Sequence, residues 1–189
     1  MKPFVIKKAK GKGKGVFAAR DIKKGEHVIY RDLSKLKPYS PENISKHPLA
    51  KNPKYADHWD EAGRGKWVLD LSPASYVNHS CNPNLVTKYY TFKKKVSIAI
   101  RNIKKGEELT VDYSMGAPYG FGTNSYSLKN CKCGEKNCRK NITSNFFKLP
   151  IKLQRKYYPY LLPSIKRKNK KRFAKLKENQ KPAGYIMIT

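Results

Sequence analysis

Three cysteines fall within eight residues, Cys131-Lys-Cys133-Gly-Glu-Lys-Asn-Cys138, and the chain holds one more at Cys81. The Cys-Gly step lets the backbone fold back tightly, so three thiolates plus one complete a tetrahedral zinc shell, with sulfur about 2.3 Å from the metal. Such a site would fasten residue 81 to the 131–138 segment, because metal-binding free energy becomes folding free energy. The reading depends on compartment. The opening Met-Lys-Pro-Phe-Val-Ile-Lys-Lys lacks the apolar stretch and cleavage site of a signal peptide, and no apolar run approaches the roughly 20 residues of a membrane span. The protein is therefore expected to begin in the cytosol, where thiols stay reduced. Unrelated buried thiols, or disulfides in an oxidising compartment, are the alternatives.

The rest of the chain predicts a mainly β fold with short helices. Phe4-Val5-Ile6, Gly15-Val16-Phe17-Ala18 and Val28-Ile29-Tyr30 read as short strands separated by glycine turns. Residues 31–66 hold Pro38, Pro41, Pro48 and Pro53, which exclude a long helix and suggest an insertion packed on the sheet. Strand character returns at Trp67-Val-Leu-Asp-Leu, Val96-Ser-Ile-Ala-Ile and Leu109-Thr-Val. Ala19-Arg-Asp-Ile-Lys-Lys-Gly-Glu is nearly repeated by Ile100-Arg-Asn-Ile-Lys-Lys-Gly-Glu, each a strand end, a Lys-Gly turn and a strand start.

Three further stretches bear on chemistry. Gly11-Lys12-Gly13-Lys14-Gly15 lets a backbone approach a ligand closely, although on its own it reads first as a plain turn, and no dinucleotide-binding strand and helix frame it. Tyr76-Val-Asn78-His79-Ser-Cys81-Asn-Pro-Asn is dense in donors and acceptors, which suits holding a polar ligand or building a turn. Glu107-Glu-Leu-Thr-Val111-Asp112-Tyr113 ends a strand on a tyrosine, a type that usually only packs. Taken together and in this order, these stretches and the cysteine cluster resemble the SET-domain lysine methyltransferases over roughly residues 4–145. That family runs through a Gly-x-Gly turn, an Asn-His-Ser-Cys-x-Pro-Asn segment, a Glu-Leu-x-x-Asp-Tyr strand and a post-SET Cys-x-Cys-x4-Cys cluster sharing the earlier cysteine.

The resemblance implies a SET-domain, or β-clip, fold of small sheets with a knot-like C-terminal threading, divided into residues 1–30, an insertion at 31–66, a second half at 67–118 and a zinc segment at 119–147. It implies S-adenosylmethionine as methyl donor, with Lys12, Gly13, Lys14 and Gly15 at its methionine part. Asn78 and His79 would hold its amino group and adenine side, and Lys132 would border the adenosine. Tyr113 would be the catalytic tyrosine, Tyr55 the substrate-channel tyrosine, and Cys81, Cys131, Cys133 and Cys138 the ligands of one structural zinc. Three departures stand out. Val111 occupies the position where many members carry the Phe or Tyr that tunes methyl number, Ser75 replaces a common arginine, and Tyr30-Arg31-Asp32 replaces a usual Glu-Tyr-x-Gly run.

A formal net charge of +29, from 42 Lys and Arg against 13 Asp and Glu, exceeds what solubility needs and implies an anionic neighbourhood. Residues 148–189 form a basic extension in which Ile165 to Glu178 reads as a helix with a thin apolar stripe of Ile165, Phe173 and Leu176, expected to dock on a partner. The expected partners are a histone or other basic chromosomal protein as substrate, and DNA or another polyanion for the basic surface and tail, in the nucleus or on a chromosome and with no membrane. A Lys-rich source proteome would also raise the charge. The rival readings are a catalytically inactive SET scaffold that binds chromatin or nucleic acid, and a small zinc-stabilised DNA-binding protein.

Overall fold

The computed structural model describes residues 2–56, 58–116, 127–174 and 176. Eleven short strands, β1 Phe4–Ala9, β2 Gly13–Ala18, β3 His27–Asp32, β4 Trp59–Gly63, β5 Lys66–Leu69, β6 Asn78–His79, β7 Leu85–Tyr89, β8 Lys94–Ala99, β9 Glu108–Val111, β10 Ser127–Leu128 and β11 Ile142–Thr143, build small separate sheets. One has the order β1-β2-β9-β6, another β3-β8-β7, and two hairpins pair β4 with β5 and β10 with β11. The helices are short: α1 Pro41–Lys46, α2 Tyr113–Gly116, α3 Ile151–Tyr157, α4 Pro163–Lys168 and α5 Lys170–Ala174. None among the described residues is long and apolar enough to cross a membrane.

The near-repeat is a structural device. Ile22 and Ile103 form an antiparallel bridge through reciprocal hydrogen bonds of 2.8 and 2.9 Å. Around it the two copies match step for step: Gly25 and Gly106 both take φ +88, the Gly25 amide donates to Ala99, and the Gly106 amide donates to Ala18. A side chain would be strained at that φ, so the glycine in each Lys-Lys-Gly-Glu turn is required. The two loops thereby clip the β2-β9 sheet to the β3-β8 sheet. Ile22 and Ile103, each 1% exposed, plug the joint together with Val16, Leu85 and Leu109.

Within the insertion, Arg64 and Gly65 take φ of 55 and 67, the pair of left-handed residues that a tight two-residue hairpin turn demands. The β4-β5 hairpin they close was not evident in the proline-punctuated sequence. The C-terminal region departs from expectation more strongly. Ile165, Phe173 and Leu176 are all buried, but against Phe146, Leu149, Tyr157, Leu161 and Leu162 of the same chain, with Met115 and Val86 of the β domain beneath. The described residues between Phe146 and Leu176 thus spend their apolar stripe internally and are packed onto the domain. The expected zinc segment before Ser127 and the extension beyond Leu176 lie outside the described residues.

Ile103→Ala empties a fully enclosed site at this joint and is expected to lower the unfolding free energy by about 2–5 kcal/mol, as read from urea denaturation followed by circular dichroism.

Candidate active site and metal centre

Strand β9 is the spine of the site. It pairs antiparallel with β2, Val16 opposite Leu109, and parallel with the two-residue β6, Asn78 beside Thr110 and His79 beside Val111. Its opposite edge is closed by a side chain. The Asn84 amide donates to the Glu108 carbonyl and accepts from the Thr110 amide, both at 2.9 Å, so this 2% exposed asparagine does the work of a paired strand. Among the polar residues of 78–84, Asn84 is therefore architectural.

On one face lies a cradle. Asn78 Nδ2 donates to the Lys14 carbonyl at 3.1 Å and to Glu108 Oε1 at 2.7 Å, while Lys12 Nζ donates to Glu108 Oε2 at 2.9 Å. Gly15 is the floor: a Cβ there would stand 2.8 Å from Glu108 Oε1, 2.9 Å from Asn78 Nδ2 and 3.0 Å from the Ala9 Cβ. Lys12, Lys14, Gly15 and Asn78 are thus brought together as expected, with Gly13 at φ +73 turning the chain beside them. Glu108 is a central member that sequence reasoning missed, although an acidic residue opposite a Lys-rich glycine turn was the available signal. The cradle presents an ammonium, an amide and a carboxylate within a few ångströms, a set suited to a ligand carrying both charges.

On the other face a cavity of about 170 Å³ is lined by Tyr113, Val111, Val77, Trp59 and Tyr89, with Arg31, Asp60 and Asp70 also on its wall. The Tyr113 hydroxyl donates to the Val77 carbonyl at 3.0 Å. The ionic wall is internally matched. Asp60 Oδ2 accepts from Arg31 Nη1 at 2.7 Å and from Lys95 Nζ at 2.6 Å, and Arg31 also faces Asp70 at 3.6 Å. Burial pulls Lys95 down to about 8 against the pull of Asp60. Burial works against the Asp60 carboxylate too, but Lys95 and Arg31 hold it below the ordinary range. Arg31, where the sequence departs from the family run, is therefore an ion-pair anchor. Tyr55 is not among the cavity's lining residues; it meets His58 edge-on at 5.7 Å, and His58 in turn meets Tyr76 at 4.9 Å.

His79 links the site to the cysteines. Its Nδ1 accepts from the Tyr113 amide at 3.2 Å and its Nε2 faces Cys81 Sγ at 3.3 Å. Burial, outweighing nearby Asp112, pulls its pKa down to about 4. The neutral ring then carries its proton on Nε2 and donates to the sulfur. Both ring nitrogens are used inside the protein, which leaves the His79 backbone for any ligand. The Sγ atoms of Cys81, Cys131, Cys133 and Cys138 lie within 4.8 Å of one another, close to the roughly 3.8 Å edge of a tetrahedron with 2.3 Å bonds. Cys81 Sγ also accepts from the Arg139 amide at 3.3 Å. Burial pushes the Cys81 thiol up to about 12 and raises Cys131 as well, whereas donors around Cys133 outweigh its burial and bring it down to about 7, so all four become thiolates together at neutral pH only around a cation. The four cysteines fit a metal ion. Lys132 is exposed on the loop between two of them.

Comparison with known proteins agrees with this geometry. The SET domain profile matches residues 13–114. Histone-lysine N-methyltransferase trr of Drosophila melanogaster is 34% identical over 139 residues, covering 71% of this chain and 6% of that protein. Histone-lysine N-methyltransferase 2D of Homo sapiens is 33% identical over 143 residues, covering 68% and 2%. The chain therefore spans only a small fraction of the relatives it matches. Among solved structures, KRYPTONITE in complex with mCHG DNA and SAH shares the fold, with a TM-score of 0.51, 23% identity and coverage of 73% of this chain and 28% of that one.

Gly15→Ala pushes the new methyl into Glu108 and Asn78 and is expected to cost about 1–3 kcal/mol of stability, measurable by denaturant titration; a variant as stable as the parent would contradict the close packing of the cradle.

Proposed function

Because the chain belongs to the SET domain family, we propose that it is an S-adenosylmethionine-dependent protein-lysine N-methyltransferase acting on a histone or another basic chromosomal protein. The observation that carries this reading is the way β9 divides its side chains: Glu108 serves the cradle on one face, Val111 the cavity on the other, and Tyr113 stands where the strand ends. The relatives named as histone-lysine N-methyltransferases and the SAH-bound neighbour of the same fold support it.

The donor, when bound, supplies a methyl already activated by its sulfonium. Lys12 would meet the donor's carboxylate, while Glu108 and Asn78 would meet its ammonium, exchanging the contacts they now make with each other. The chain's remaining task concerns the substrate. A lysine of pKa about 10.4 must shed its proton, at a cost of roughly 4 to 5 kcal/mol at pH 7. Trp59, Tyr89 and Tyr113 disfavour the charged form by desolvation. The Asp60 and Asp70 charges are opposed by Arg31 and Lys95, so the wall does not trap an ammonium. Tyr113, with its hydroxyl at the Val77 carbonyl, would orient the amine lone pair for in-line attack.

The cysteine cluster would hold one zinc and so keep residues 131–138 against His79 and Tyr113. Residues 148–176 carry eleven Lys and Arg and no acidic residue, and Lys152, Lys156, Arg167, Lys168, Lys170 and Lys171 are exposed. This face would meet nucleic-acid phosphates, which would draw enzyme and basic substrate together in chromatin.

Two outcomes test the proposal. Wild-type protein should transfer radiolabelled methyl from S-adenosylmethionine to histones in the presence of DNA, and Tyr113→Phe should lower turnover roughly a hundredfold with donor affinity by calorimetry nearly unchanged. Donor binding without transfer to any basic protein would favour the inactive scaffold. Purified protein should hold one zinc per chain, and stripping it with a chelator should lower the melting temperature and end methyl transfer together; unchanged melting would reject the staple.

A further inference from the structure

We infer that Tyr157, in the C-terminal extension, is a positioning residue for Tyr113 and acts through the Asp112 carboxylate. The inference rests on the reading of Tyr113 as the catalytic tyrosine, but Arg139 and Tyr157, the side chains that hold Asp112, lie outside the 13–114 family match.

Asp112 sits at the corner where β9 stops and helix α2 begins at Tyr113, and it is 1% exposed. Its carboxylate is met from three directions. Arg139 grips it with Nη1 to Oδ2 at 2.7 Å and Nη2 to Oδ1 at 2.6 Å. The Ser114 amide donates to Oδ1 at 3.0 Å, a local cap on the helical turn. The Tyr157 hydroxyl donates to Oδ2 at 3.2 Å from the end of α3. The Asp112 carbonyl also accepts from the Met115 amide at 3.0 Å. A buried carboxylate held at both oxygens cannot rotate without breaking charge-assisted bonds, and the next residue in the chain is Tyr113. The direction of the Tyr113 ring is therefore set in part by how Asp112 is fastened.

Tyr157 is built for that role. It is 1% exposed and sits in the buried apolar cluster that also holds Phe146 and Leu149. Burial, with the Asp112 charge beside it, raises its phenol well above the ordinary value and keeps it a hydrogen donor. Phenylalanine would fill the same space and lose only the hydroxyl. Met115, two residues after Tyr113 and 2% exposed, packs in the same cluster, so the extension grips the turn by an apolar contact as well as a polar one.

The test compares Tyr157→Phe with Leu161→Ala, which loosens the same cluster without touching Asp112. Tyr157→Phe is expected to lower kcat roughly tenfold, the scale of one hydrogen bond to a charged group, with KM for the donor within twofold. Leu161→Ala is expected to lower the melting temperature at least as much but to keep kcat at temperatures where it is folded. Equal kcat losses in the two variants, or a kcat for Tyr157→Phe within twofold of the parent, would overturn the inference. A second readout needs no activity: with isotope-labelled tyrosine, the Tyr113 ring resonance, assigned by its loss in Tyr113→Phe, should shift in Tyr157→Phe and stay put in Leu161→Ala. An unmoved resonance overturns the inference. A moved one in protein that transfers no methyl would leave the positioning contact standing and reject the enzymatic reading instead.

Discussion

Strand β9 has two edges of backbone donors and acceptors to satisfy in a domain too small to give it long neighbours, and the way they are satisfied decides where every site residue stands. One edge takes β2, which brings the glycine turn with Lys12 and Lys14. The same edge continues onto two residues of β6, while the Glu108 carbonyl and Thr110 amide on the opposite edge take the side chain of Asn84. Because β6 is only Asn78 and His79, the chain leaves the sheet at once and reaches Cys81 two residues later. Cradle, cavity and cysteine cluster are thus consequences of one strand's hydrogen-bonding needs.

Electrostatics follow a similar division between inside and outside. Much of the small acidic complement is spent on internal fastening: Glu26 on Arg20, Glu107 on Arg101, Asp21 on Lys104, Glu108 on Lys12, Asp60 on Arg31 and Lys95, and Asp112 on Arg139. With 13 carboxylate side chains against 42 cations, little negative charge is left to neutralise the exterior. The surface field of this chain is therefore positive by default, and the extension, which contributes no acid through residue 176, concentrates it. Such a field would repel a free basic substrate and favour one already bound to phosphate.

How much of this was legible depended on how local the cause was. The cysteine cluster, the glycine turn, the Asn-His-Ser-Cys segment and the Asp-Tyr strand end are compact words, and the near-repeat announced two equivalent turns whose pairing through Ile22 and Ile103 the structure adds. The Arg31–Asp60–Lys95 group was invisible because its members lie 29 and 35 residues apart and pair only once β3, β4 and β8 are assembled. Glu108 was hidden because its neighbour Glu107 looks the same in sequence, yet strand alternation turns one to Arg101 and the other into the cradle. The apolar stripe of the extension was visible, but periodicity gives a buried face without naming what covers it. Here the cover is the chain's own Phe146, Leu149 and Met115.

Two C-terminal segments that sequence separates, the cysteine loop and the extension, converge on one carboxylate. The cysteine loop delivers Arg139 to Asp112 immediately after its last cysteine, and α3 delivers Tyr157 to the same oxygen that Arg139 Nη1 holds. Their effects on Tyr113 are therefore not independent. With Arg139 in place, the bidentate grip limits how far the carboxylate can turn when Tyr157 is altered. With the cysteine loop released, Tyr157 and the Ser114 amide are the remaining holds, and the loss of either leaves a buried negative charge short of donors. Neighbours that share one charged group show coupling energies of about 0.5–3 kcal/mol, and the sign expected here is that each segment matters more once the other is loosened. Tyr113 is then fixed by the cysteine loop and a helical extension acting in parallel on the residue before it.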